Sequence, residues 1–130
     1  MAKTQDAYRE TWNAARRAVE STYEGVATVT VHKKETDGRT GLANWIDAVV
    51  LDDQPCRVSF SSISAVTQTE SAAAVGQTVK LFISPDICIK PGSKITVTQS
   101  GVTTDYTYSG VPAVYATHQE IMLDLFKEWS

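Results

Sequence analysis

Between Lys94 and Tyr108 polar and apolar side chains alternate with a period of two. Ile95 and Val97 are interleaved with Lys94, Thr96 and Thr98, and Val102, Thr104, Tyr106 and Tyr108 resume the pattern after Ser100-Gly101. Successive side chains of a strand point to opposite faces, so this pattern predicts a β-hairpin with its turn at Ser100-Gly101. The same period runs through Ala27, Val29 and Val31 against Thr28, Thr30 and His32, and the β-branched content fits a half-buried strand. Residues 33–44 then bring charge, Asp37-Gly38 and Gly41 within a short stretch, which reads as an exposed loop. Beyond it the pattern predicts strands over 45–51 and 56–61, joined by a turn at Asp52-Asp53-Gln54-Pro55. A strand "TVKLFIS" (78–84), a break at Pro85-Asp86, a short run "ICIK" (87–90) and a final pair, "AVYAT" (113–117) and "EIMLDLF" (120–126), complete the series. Met122, Leu125, Phe126 and Trp129 also satisfy a helical spacing; the strand reading is followed here through residue 126.

Two segments depart from the period of two. Residues 6–20 place Tyr8, Trp12, Ala15 and Val19 on one stripe, with Arg9, Glu10, Asn13, Arg16, Arg17 and Glu20 elsewhere, which predicts an amphipathic helix. Thr4 or Asp6 can cap its amino end, and Gly25 marks where the chain leaves it. The stripe suits packing on the protein's own sheet or on a neighbouring subunit. Residues 61–77 carry few large apolar side chains and read as a long loop, with a short helix over "TESAAAV" as the alternative. At least six short strands with one helix predict a single, mainly β domain. Its form would be a small β-barrel or sandwich of antiparallel strands with long loops, residues 1–22 forming the amino-terminal helix and 25–130 the strand-built body.

Composition narrows what such a domain does. A chain of 130 residues can bury a sufficient core without disulfide or metal staples. Twelve Lys and Arg against fifteen Asp and Glu, a formal charge of -3, argue against a dedicated nucleic-acid binder, which needs clustered basic charge. No stretch is long and apolar enough to span a bilayer, and "MAKTQDAYRE" lacks the apolar core of a secretory signal, so a protein made in the cytoplasm without a membrane partner is expected. Cys56 and Cys88 each lie in an apolar strand-like run and are expected as buried thiols; their spacing leaves a disulfide between them open.

Candidate chemistry is sparse. His118 and Glu120 fall on one face of a strand, short of the three or four ligands a metal needs, and His32 has no partner at diagnostic spacing. No serine lies in a GxSxG elbow, and no glycine-rich phosphate loop is present. Asp52-Asp53 is better explained by turn chemistry than as an acid/base couple. The expectation is a protein that is not an enzyme and takes no metal or other cofactor. A glycan platform needs clustered aromatics, whereas Trp12, Trp45 and Trp129 fall on separate predicted elements, and Tyr106 with Tyr108 reads as a packing stripe.

Three segments, "QPCRVSFSS" (54–62), "VKLFISPDICIKPGSKITVTQSG" (79–101) and "PAVYATHQEIMLDLF" (112–126), together resemble the minor capsid or head-tail joining proteins of tailed bacteriophages of Gram-positive bacteria. The likeness covers nearly the whole chain and lies in the ordered set, above all the PGSKI hairpin followed by the THQEI strand. The resemblance implies a head-closure protein, or stopper, located in the virion neck and assembled in the host cytoplasm. Its implied partners are further copies in a homo-oligomeric ring, the portal or adaptor above, and tail-terminator or tail proteins below, with packaged double-stranded DNA passing through without sequence-specific binding. A tail terminator is the near alternative; a glycan- or protein-binding β-module is the alternative of another class. Within the stopper reading the expected contacts are the helix stripe Tyr8, Trp12, Arg16 and Val19, the loop residues Lys33, Lys34, Glu35, Asp37 and Arg39, and Gln68 and Glu70 of the 61–77 loop.

Overall fold

The alternation from Lys94 to Tyr108 folds as the sequence predicts. In the computed structural model, which describes the backbone of residues 2–62 and 77–129 and, within them, the side chains of residues 9–61 and 77–129, strands Lys94–Gln99 and Val102–Thr107 pair antiparallel. Ser100 (φ 54°) and Gly101 (φ 78°) both sit in the left-handed region, the conformation of a two-residue turn whose twist matches that of the strands it joins. In chain order the elements are α1 (Ala2–Glu20), β1 (Gly25–Thr36), β2 (Ala43–Ser62), β3 (Gln77–Ile83), β4 (Lys94–Gln99), β5 (Val102–Thr107), β6 (Ala113–Val114) and β7 (Gln119–Leu125).

The strands make one antiparallel sheet in the order β3-β2-β1-β4-β5-β7-β6, and β3 also pairs with β7. The hydrogen-bonded ring β1-β2-β3-β7-β5-β4 therefore closes, with β6 added on β7. Every strand of the ring turns its apolar alternate inward: Ala27 and Val29 from β1, Cys56 and Val58 from β2, Leu81 and Ile83 from β3, Ile95 and Val97 from β4, Tyr106 from β5, Ile121 and Leu123 from β7. Register carries this around the ring, since Val58 lies opposite Leu81, Leu81 opposite Ile121, and Ile95 opposite both Val29 and Tyr106. One period-two pattern repeated on six strands thus produces one core.

Three sequence expectations are corrected. First, Asp52-Asp53-Gln54-Pro55 is not a reversal: β2 runs unbroken for 20 residues. The register to β1 steps from Ala27↔Gln54 to Val29↔Leu51 and then to Thr30↔Val49, an extra β2 residue at each step. Asp53 takes a left-handed φ of 50°, and the Asp52 carboxylate accepts from the Thr28 hydroxyl (2.8 Å) and from the Asp53 N–H (3.0 Å). Turn chemistry is present, but it builds a bulge, where proline and aspartate are equally at home. Second, Lys33–Thr36 and Ala43–Asn44 pair as strand, so the expected 33–44 loop shrinks to residues 37–42. That tip is tied by Gly41 N–H to Asp37 O (2.8 Å), Asp37 N–H to Leu42 O (2.8 Å) and Arg39 N–H to the Asp37 carboxylate (2.9 Å).

Third, "ICIK" joins no strand, although Ile89 is buried and Cys88 exposed as alternation would have them. Side chains replace the missing neighbour. Gln119, itself buried, donates its amide to Ser84 O (2.8 Å) and Ile87 O, and the Tyr108 hydroxyl donates to Ile89 O. Cys88, expected inside, is therefore at the surface, and both thiols are free; burial pushes the Cys56 thiol up to about 12.

A similar substitution fills the gap at the start of β1. β1 begins at Gly25 opposite Cys56, so Val58 has no β1 residue beside it. The Gln99 carboxamide fills that place, accepting from Val58 N–H (2.9 Å) and donating to Val58 O (3.1 Å). A Cβ on Gly25 would stand 3.2 Å from each of Cys56 O, Thr98 O and Gln99 Oε1, so the residue at this crossing has to be glycine or displace its neighbours.

Leu81, fully buried where three strands meet, is the position at which truncation should cost most. Leu81→Ala is expected to lose about 2–5 kcal/mol in urea unfolding, whereas Val111→Ala, at a side chain 94% exposed, should stay within about 0.5 kcal/mol. Equal effects would contradict the core assignment.

Candidate assembly surfaces

Three parts of the chain project from the closed sheet. The first is α1. Its anchorage is at its carboxy-terminal end: the Arg16 guanidinium donates to Ser84 Oγ (2.8 Å) and pairs with Asp86 (2.9 Å), in the loop that Gln119 and Tyr108 hold in place. Val19, with Thr22 and Tyr23, lines a cleft of about 280 Å³ against Arg57, Ser59, Phe82, Thr117 and His118 on the outer sheet surface. Arg16 and Val19 are thus used within the chain. Trp12, one turn nearer the amino end, is half exposed (50%), and residues 9–14 are all solvent-facing. The helix stripe is split: its last turn docks on its own sheet, and Trp12 is left outward. The Tyr8 side chain lies outside the described residues, as do Gln68 and Glu70.

The second part is the arm formed by the distal half of β1 and the first half of β2. Lys33, Lys34 and Glu35 stand on its β1 strand, and Asp37 and Arg39 at its tip, all exposed. On β2, Leu42 just before the strand, then Trp45, Val49 and Val50, keep between 59% and 66% of their surface in solvent. Isolated apolar side chains are ordinary on a surface, but four large ones within residues 42–50 concentrate exposed apolar surface on this arm.

The third part is the carboxy-terminal segment after β7, which sequence reasoning did not connect to anything. The Phe126 N–H bonds to Asp105 O (3.0 Å). The chain then lays Trp129 on the His32 ring, with centroids 5.0 Å apart and planes at 12°, while Trp45 stacks on the same imidazole at 4.7 Å and 7°. His32 is held in place by Asp47, whose carboxylate lies 2.8 Å from Nδ1. Phe126 meets Trp129 edge-on, and the Lys94 ammonium lies 5.3 Å from the Phe126 ring centre. Two of the three tryptophans, separate in sequence, therefore meet through one histidine. Each gives one face to the imidazole, and Trp45 still keeps 62% of its surface in solvent. Only the three-dimensional path of the tail reveals this, since nothing in the spacing of residues 32, 45 and 129 signals it.

His118, the other histidine, also works within a polar network. Its Nε2 lies 2.8 Å from Glu120, its Nδ1 3.0 Å from the Thr117 hydroxyl, and Tyr115 stacks on its ring. The Lys80 ammonium pairs with the second Glu120 oxygen at 3.0 Å. Both ring nitrogens are thus engaged, Nε2 by a carboxylate and Nδ1 by a hydroxyl. Among the described residues, no group of three His, Cys, Asp or Glu is placed to hold a metal ion, and no helix is long and apolar enough to cross a membrane.

The hydrogen bond from His118, and then that from Lys80, holds the Glu120 carboxyl below its usual range. A carboxylate with a lowered value in the folded state adds stability that is present above its unfolded value and is lost as pH falls through the folded one. Glu120→Gln should therefore be less stable than the parent near neutral pH, and the gap should close as the buffer is taken below about pH 4. Urea midpoints for both chains across that range test this; a gap independent of pH would contradict it.

No protein-family model matches this sequence, and no curated protein matches it. Among solved structures, the phage-like element PBSX protein xkdH from Bacillus subtilis is similar, with a TM-score of 0.42 and 9% sequence identity over 79% of this chain and 92% of that one.

Proposed function

We propose that this chain is a structural subunit of a bacteriophage neck, a head-closure or stopper protein that assembles as a ring between portal or adaptor and tail. The observation that carries this reading is how its surface is distributed. A closed, well-packed sheet bears a helix and a strand arm whose large apolar side chains, Trp12 on one and Leu42, Trp45, Val49 and Val50 on the other, stay exposed in the single chain. Exposed apolar surface gathered on projecting elements is the physical mark of a subunit awaiting neighbours. The resemblance of the 54–62, 79–101 and 112–126 segments to head-tail joining proteins supplies the setting.

In this role the chain works by shape. The closed sheet leaves few free edges and resists deformation, and the helix and arm reach adjoining copies or rings. A net charge of -3 suits a conduit along which DNA slides, because a lumen without clustered cations does not retain the phosphate backbone. No cofactor and no catalytic step enter this mechanism.

The test is reconstitution with the portal and adaptor of the same phage. The full chain should bind that complex and appear as a ring in end-on images, and DNA-filled heads carrying it should stay filled. A chain lacking residues 2–14, which keeps the Arg16 anchor, should retain the parent's circular dichroism and thermal midpoint within a few degrees, yet bind at least about tenfold more weakly, a loss of roughly 1.4 kcal/mol. Full binding by the truncated chain, or selective binding of the parent to a glycan with none to portal complexes, would contradict the proposal.

A further inference from the structure

The arm carries more than exposed side chains, because both of its backbone edges are open among the described residues. β2 pairs with β3 only through Cys56–Ser62, so the side of β2 facing away from β1 has no strand partner from Ala43 to Leu51. β1 pairs with β4 only through Val26–Thr30. Residues 90–93 and Trp129 flank β1 as far as His32, and beyond them Lys33–Thr36 is uncovered. A two-stranded ribbon is marginal by itself in water, and a long apolar edge is a template for a further strand.

We infer that the arm is completed by the arm of a second copy of this chain, the β1 edge of one copy pairing with the β2 edge of the next. Three observations single out a second copy. The two open edges lie on opposite sides of one ribbon, and β1 and β2 run antiparallel, so placing β1 of one arm beside β2 of the next continues the alternation without reversing any strand. The two open edges differ in sign of charge: Lys33 and Lys34, followed by Glu35, stand on the open part of β1, and the open part of β2 carries a single charged residue, Asp47. Val49 and Val50, exposed on the single chain, come to lie within the joined sheet. Such a contact uses different surfaces on its two sides, and contacts of that kind close into rings when the rotation between copies allows. The recognition is main-chain pairing, with side chains setting register.

This inference rests on the ring-subunit reading above and specifies its contact. Its test uses the purified full chain at neutral pH, followed by sedimentation velocity across a concentration series and by hydrogen exchange on the monomeric and assembled species. Those amides of residues 44–51 that point away from β1, alternate ones along the strand, should exchange fast in the monomer and at least about tenfold more slowly in the assembly. The double variant Val49→Lys, Val50→Lys and the double variant Lys33→Glu, Lys34→Glu should each keep the parent's thermal midpoint and raise the concentration needed for assembly by about tenfold or more. The inference is overturned if those outward amides are already slow in the monomer, if an assembly forms while they stay fast, or if the chain is monomeric throughout. The exchange measurement needs no variant and decides the matter even where a variant fails to fold. Assembly through these edges combined with failure to bind a portal complex would leave the inference standing and remove the neck reading; portal-bound rings with fast outward amides at 44–51 would do the reverse.

Discussion

The pairing of β3 with β7 is the contact on which the rest of the structure depends. Five residue pairs, from Val79↔Leu123 to Ile83↔Gln119, turn an ordinary row of hairpins into a closed ring of strands. Without them β3 and β7 would each present an unpaired edge, and Leu81 and Ile121, opposite each other and fully buried, would lose the wall that shields them. Closure also accounts for Gln119. Sitting at the end of that pairing, its side chain reaches Ser84 and Ile87 and fixes the 84–93 loop, which in turn offers Ser84 and Asp86 to Arg16 of the helix. The attachment of α1 is therefore two steps removed from the closing strands.

What lies outside the ring gives the molecule its proposed role. The helix, the arm and the tail are held by discrete polar or aromatic contacts and not by the core: Arg16 anchors the first, the bulged continuity of β2 the second, and the His32 stack the third. Such an arrangement keeps the body invariant while the projecting parts meet neighbours, which a ring component requires. Gln99, Gln119 and Tyr108 make this economical, since each side chain satisfies backbone groups where the strand ladder stops.

How much of this was legible in the sequence follows from the range of the forces involved. The β4-β5 hairpin, its Ser100-Gly101 turn, the inward Ile95, Val97 and Tyr106, the helix ending before Gly25 and the strand reading of the last segment are decided by neighbours a few residues apart, and all were readable. The Asp52–Pro55 stretch was misread because aspartate and proline favour a reversal and a bulge for the same local reason; only pairing with β1, some 25 residues away, separates the two. Cys88 was misplaced because alternation was taken to imply a strand interior, whereas a strand-like segment bonded by side chains at a surface alternates too. The Trp45-His32-Trp129 stack joins three elements through a tail whose path has no sequence signal, and the arm's edges, open among the described residues, depend on where β3 and β4 stop. The mainly β class was thus readable, and the surfaces proposed to do the work mostly were not.

The central claim, that a closed sheet is the invariant body to which assembly elements are attached, is tested most directly by nuclear Overhauser contacts between backbone protons of β3 and β7 in the isolated chain. The account predicts contacts linking Leu81 with Ile121 and Val79 with Leu123, present together with those joining β5 to β7 at Tyr106 and Leu125. A spectrum in which β7 shows backbone contacts to β5 and β6 but none to β3 would mean an open sheet, and would contradict it.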